Sequence, residues 1–202
     1  MMTIDVAPAR RAEVKSLARV LGRAFYDDPL MTWMMPDDAR RARALPRIFA
    51  AMTRHHFLAG DATEVAGRDG GLGAAALWDP PGRWRQTPRE ELRMMPAFLL
   101  AMGRQVGRGQ AMADLMKKNH PEEPHWYLAV IGSDPTVRGA GFGQALMRSR
   151  LDRCDAEGAP AYLESTKESN IGYYMRFGFE VTGEIRMPDD GPPIWPMWRA
   201  PR

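Results

Sequence analysis

The residues best placed to do chemistry form one run: Val130-Ile131-Gly132-Ser133-Asp134-Pro135-Thr136-Val137-Arg138-Gly139-Ala140-Gly141-Phe142-Gly143. An apolar strand turns at a proline, crosses three glycines and becomes a helix. Glycines leave backbone N–H groups uncovered by Cβ atoms, and a helix start adds four unpaired donors and a partial positive charge. Such a turn suits phosphate, with the Arg138 guanidinium as a charged supplement. Two common nucleotide readings fail on residues. The dinucleotide fingerprint spaces its glycines differently from Arg138-x-x-Gly141-x-Gly143, and no acidic residue ends the next strand as a ribose clamp. A triphosphate loop ends in Gly-Lys-Ser or Gly-Lys-Thr, whereas Gly143 is followed by Gln144-Ala145. Metal chemistry has little support. His55-His56 diverge on a helix where zinc pairs sit one turn apart, and the chain holds one cysteine and four histidines.

The elements that must position this run follow from periodicity. Thr3 to Ala7 reads as a short strand, and Val14, Leu17, Ala18, Leu21 and Phe25 recur at the helical period up to Asp27-Asp28-Pro29. Leu30 to Met35 is rich in Met and Trp. A second helix fits Asp38 to Leu58, broken or kinked near Pro46. Thr63 to Ala66 and Leu72 to Trp78 read as a hairpin with a longer loop, Arg68-Asp69-Gly70-Gly71. Pro88 to Lys118 looks helical, interrupted around Gly103 and Gly107-Arg108-Gly109. His125 to Gly132 is the strand before the glycine turn, whose helix runs to about Glu157 and stops at Gly158. Ala161 to Thr166 is a strand, Asn170 to Phe177 a short helix, and Phe179 to Met187 and Ile194 to Arg199 are the last strands. The order makes an α+β fold, an α/β/α sandwich with one parallel crossover in the middle.

Composition narrows the class. The chain has 202 residues, 45% of them hydrophobic, enough for one domain with a packed core. Its net charge of +3 suits an anionic ligand but not nucleic acid, which calls for a concentrated basic face. The arginines between Arg40 and Arg54 read as a solvated helix face. The lone Cys154 excludes an intrachain disulfide and fits a reducing compartment. Met1 to Arg11 lacks the apolar core of a signal peptide, and Met94 to Met102 is too short to span a bilayer. A soluble cytoplasmic protein, monomer or homodimer, with no membrane partner is the expectation.

The second half raises the specificity of the glycine turn. Arg138-x-x-Gly141-x-Gly143, then Leu163-Glu164-Ser165, then Asn170-x-x-Tyr173-Tyr174-x-x-Phe177-Gly178-Phe179 occur in that order. The combination resembles the GCN5-related N-acetyltransferase (GNAT) superfamily from about Glu123 to the C-terminus. His125-Trp126-Tyr127-Leu128, Ala161-Tyr162-Leu163-Glu164, Gly183-Glu184 and Trp195-Pro196-Met197-Trp198-Arg199 resemble its puromycin N-acetyltransferase-like branch. Before Glu123, only Ala24-Phe25 with Asp28-Pro29 and the general layout match.

The resemblance implies a mixed, mostly antiparallel central sheet whose splayed parallel strand pair holds the cofactor. One N-acetyltransferase domain would fill residues 1–202, with 1–122 as the acceptor side and 123–202 binding acetyl-CoA. It implies direct transfer from acetyl-CoA to an amine, without metal or acyl-enzyme. Backbone N–H groups of Arg138, Gly139, Ala140, Gly141, Phe142 and Gly143 would hold the pyrophosphate, and the exposed backbone of Val130, Ile131 and Gly132 the pantetheine arm. A backbone N–H there would also stabilise the oxyanion formed at the thioester. Tyr174, four residues before Gly178, matches the family's general acid. Tyr173 is its rival, about 100° away around the helix. Asn170 caps this helix or touches the cofactor, roles that are compatible. Glu164 is a base or an ordinary strand residue. His125 and Tyr127 share a strand face and are candidates for the amine pocket, as are Tyr26, Asp27 and Trp33 for the acceptor wall. The acceptor itself is expected to be the primary amine of a small molecule such as an antibiotic or other xenobiotic; the alternatives are a protein N-terminus or lysine as acceptor, or a non-catalytic acyl-CoA-binding module.

Overall fold

A computed structural model describes residues 3–202; Met1 and Met2 lie outside the described residues. Strands β1 (Asp5–Pro8), β2 (Glu64–Arg68), β3 (Gly71–Asp79), β4 (Trp126–Ser133), β5 (Ala161–Ser165), β6 (Glu180–Val181), β7 (Ile185–Arg186) and β8 (Pro193–Arg199) build one sheet. Its order is β1-β2-β3-β4-β5-β8-β6, with β7 also on β8. Every pairing is antiparallel except β4 with β5. That is the expected mixed sheet with its central parallel pair.

The alternation of β3 sorts the two helical layers. Ala74, Ala76 and Trp78 face α6 (Phe142–Ala156), where they pack with Phe142, Leu146 and Met147. Ala75 and Leu77 face the other way, onto α1 (Val14–Ala24) and α3 (Asp38–His55), against Leu17, Leu21, Leu45 and Phe49. The alanines let both helices approach a sheet that is buried on both faces. α2 (Pro29–Met34) and α4 (Pro88–Met102) flank α3, and α5 (Val106–Asn119) extends from α4. α7 (Ile171–Met175) follows β5.

Several local expectations are corrected. α3 continues through Pro46 rather than breaking there. The proline costs the helix one hydrogen bond, but its ring packs on Gly22 of α1, where an added Cβ would lie 2.7 Å from it. The helix interruption falls at Gly103 alone (φ 52°), and Gly107 and Gly109 lie inside α5. The β2–β3 connection is a two-residue turn, because Arg68 and Gly71 already pair. Asp69 and Gly70 both take positive φ (52° and 77°), as a type I′ hairpin turn requires. The stretch from Phe179 to Met187 is two short strands, separated where Thr182 donates both its N–H and its hydroxyl to Pro196 O (2.9 and 3.2 Å).

Buried charges are paired. Arg150 of α6 reaches Glu64 of β2 at 3.2 Å and stacks on Trp126. Arg199 grips Asp155 through two bonds of 2.8 and 2.7 Å. His56 lies between Asp79 (3.1 Å) and Glu90 (3.4 Å). Burial pulls the His56 imidazole down, but those two carboxylates together outweigh it and leave its pKa above the ordinary value.

Candidate active site

β4 and β5 pair only over Trp126–Leu128 and Ala161–Leu163, and beyond Leu128 the two strands part. The cause lies on the other side of β4. Leu77 of β3 opposes Val130 and Trp78 opposes Leu128, so Ala129 is an extra residue, a β-bulge that bends the strand. The bulge also breaks the side-chain alternation. Leu128 packs on the α6 side, whereas Val130, two residues on, packs with α1 and α3. The open edges of β4 and β5 then bound a cleft of about 370 Å³.

That cleft gathers the expected residues from distant parts of the chain. Val130, Ile131 and Gly132 form one wall, Glu164 stands on the other, and Arg138, Asn170 and Tyr174 are also among the lining residues. Gly132 has to be glycine, since a Cβ would sit 2.7 Å from that of Ala24. Gly139, Ala140, Gly141, Phe142 and Gly143 do not line this cleft but continue the chain from Arg138. Gly139 and Gly141 take φ of 81° and 91°, conformations costly for other residues. Ala145 N–H is the first of α6 to bond back, to Gly141 O at 3.0 Å. The amides of Phe142, Gly143 and Gln144 are therefore the free donors of the helix start. The Phe142 side chain is core, its ring resting on Gly73. Asp134 holds the turn into this loop, capping Thr136 N–H at 3.1 Å and pairing with Arg23.

The two neighbouring tyrosines are resolved by direction. Tyr174 lines the cleft and is 8% exposed. Burial, with smaller contributions from Tyr173 and Asp28, pushes its phenol above 10, so it stays protonated at neutral pH. The Tyr173 hydroxyl instead points at the glycine loop, where a Cβ on Gly143 would lie 3.2 Å from it. Its pKa is pushed up to about 12 by burial. Cys154 is buried in the core and burial pushes its thiol up to about 12, so it is no thiolate nucleophile.

The proposed pocket residues sit differently. His125 and Tyr127 do share a face, but they pack around His120 and do not line the cleft. Tyr26 stands under the Arg41 guanidinium, 4.7 Å away, and Trp33 under that of Arg108, 5.3 Å away. Asp27 bonds Lys167 at 3.0 Å beside Arg138. Besides Glu164, Asp28 lines the cleft, 2% exposed, capping Leu30 N–H at 3.0 Å and accepting from the Thr166 hydroxyl. Burial raises its pKa, against the Thr166 and Met31 bonds. In the sequence, Asp28-Pro29 is a helix-start signal; nothing local says that this cap faces a cleft.

Comparison with known proteins agrees with this architecture. The acetyltransferase (GNAT) family model matches residues 73–179, just over half of the chain. An uncharacterized N-acetyltransferase of Schizosaccharomyces pombe, C550.08, is 27% identical across 96% of this chain and 83% of its own. Peptidyl-lysine N-acetyltransferase YjaB of Escherichia coli is 28% identical over 41% of this chain and 67% of its own. Among solved structures, the histone acetyltransferase HPA2 and related acetyltransferase from Corynebacterium glutamicum is 28% identical. It superposes with a TM-score of 0.76 over 100% of this chain and 98% of that one. The chain thus superposes on a solved acetyltransferase over its whole described length, and it belongs to the acetyltransferase (GNAT) family.

Proposed function

We propose that this chain moves an acetyl group from acetyl-CoA directly to the primary amine of a small molecule. The observation that carries the reading is that Tyr174, with its protonated phenol, and Glu164, whose carboxylate is buried just behind the wall, line one cleft with the open backbone of Val130–Gly132. The residues fit the co-substrate. Free amides of Phe142–Gln144 and the Arg138 and Lys167 cations suit its phosphates, and the unpaired β4 edge suits its amide-bearing arm. Acetyl-CoA supplies an activated acetyl thioester when bound. Tyr174 then donates its proton to the departing thiolate, and Glu164 accepts the proton that the attacking ammonium must lose. Asp28 and Glu164 set two buried carboxylates in the cleft wall, a lining that favours a cationic acceptor.

Gly143→Val tests the cradle. The added branches meet the Tyr173 hydroxyl and cover a helix-start amide. Acetyl-CoA affinity measured calorimetrically should weaken roughly tenfold or more, about 1.4 kcal/mol per decade. A second reading, transfer to protein lysines, draws on the likeness to a peptidyl-lysine N-acetyltransferase. Following free thiol with a panel of small amines and lysine peptides separates the two by their kcat/KM ranking. No thiol release with any acceptor, despite acetyl-CoA binding, would sink both.

A further inference from the structure

Behind Glu164 lies a closed polar cluster that the sequence does not announce. His120, 7% exposed, places Nδ1 3.7 Å from Glu164 Oε1 and Nε2 3.0 Å from His125 Nε2. His125, 2% exposed, places Nδ1 2.5 Å from the Glu123 carbonyl oxygen. Trp84 stacks on the His120 ring at 3.8 Å, and Tyr127 and Tyr162 meet it edge-on at 4.7 and 5.0 Å. Glu164 is the residue of this cluster that also lines the cleft.

The protons of this chain can be assigned by elimination. A carbonyl oxygen only accepts, so His125 Nδ1 carries a hydrogen. Burial holds the His125 pKa below its ordinary value, so the ring is neutral and its Nε2 is a bare acceptor. His120 Nε2 must then be the donor across the 3.0 Å contact, and His120 Nδ1 is left with its lone pair facing Glu164. Oε1 of that carboxylate is buried and has no hydrogen-bond partner among the described residues. The two acceptors face each other 3.7 Å apart, next to the cleft.

We propose that Glu164 and His120 together form a one-proton acceptor, with His120 as the positioning residue that tunes the base. The role assigned to it rests on the acetyl-transfer reading above. When the dyad loads, an N–H bond of the acceptor ammonium breaks and its electron pair stays on nitrogen, ready to attack. The proton comes to lie between Glu164 Oε1 and His120 Nδ1. Apart from His125, the groups facing His120 are the phenols of Tyr127 on β4 and Tyr162 on β5, and the Trp84 ring of the β3–α4 connection. Burial, and then the Glu164 charge, raises both phenols, so neither competes for the proton at neutral pH.

Nitrogen NMR of histidine-labelled wild-type protein tests the assignment without turnover. The expected result is His125 as the Nδ1–H tautomer and His120 as the Nε2–H tautomer. Finding His120 as the Nδ1–H tautomer overturns the dyad. In turnover, His120→Gln should move the acid limb of the kcat/KM profile down by about one unit with acetyl-CoA affinity unchanged. An unmoved limb also overturns the role. A wild-type protein inert toward every amine would instead remove the transferase reading and leave the proton order to the NMR result.

Discussion

Tyr174→Phe lowers kcat by about 10²–10⁴-fold, the usual contribution of a positioned acid, while acetyl-CoA affinity stays essentially unchanged. The phenyl ring keeps the packing against Tyr173 and Phe179, so what is lost is one proton at the cleft wall. That proton is available throughout the neutral range because burial holds the phenol above 10. Single-turnover thiol release and calorimetric binding of acetyl-CoA measure the two halves of the claim separately. A fully active variant would pass the role to water or to Tyr173, whose hydroxyl points toward Gly143 instead. A matched loss of binding would make Tyr174 a packing residue.

The second large effect lies on the opposite face of the sheet. Arg150→Met should destabilise the fold by about 3–5 kcal/mol, because it strands a buried carboxylate. That corresponds to roughly 6–20 °C in Tm for a chain of this size. Glu64 already has its pKa raised by burial, with Arg150 pulling it back. Without the guanidinium it rises further. A group whose folded pKa is raised contributes stability at low pH and loses it as pH climbs through the folded value. The penalty of Arg150→Met should therefore be largest near neutrality and shrink as pH falls from the raised folded value to the ordinary glutamate value of 4.5, below which it stays constant. Adding Glu64→Gln should recover much of it at pH 7. Equal Tm losses at pH 4 and pH 7, or no rescue, would show that the cost is the packing of Arg150 on Trp126 rather than charge.

The parts of this fold legible in the sequence were those set by local pattern. The helix periods of α1 and α6, the glycine turn and the strand preceding it all carry their signal within about twenty residues. Errors arose where a tertiary partner reversed a local preference. Pro46 is a breaker by itself, but Gly22 of another helix receives its ring. Gly107 and Gly109 look like an interruption, yet the helix absorbs both and turns at Gly103 instead. The site divided along the same line. Arg138, Asn170, Tyr174 and Val130–Gly132 stand within one ordered motif. Asp28 and His120 owe their places to contacts across 138 residues, from Thr166, and 44 residues, to Glu164. Nothing in their neighbours along the chain records those contacts.

Ala129 has a consequence for how this protein can change. In a regular strand the facing of residue 126 dictates that of residue 130, so any demand made by the core is inherited by the ligand edge. One inserted residue resets the phase of β4 midway. The side chains of Trp126 and Leu128 then pack on the α6 side, and Val130 and Gly132 face α1 and the open cleft. The two ends of a single strand become separately adjustable. A lineage could retool the acceptor side and its catalytic edge without renegotiating the packing that holds the sheet together.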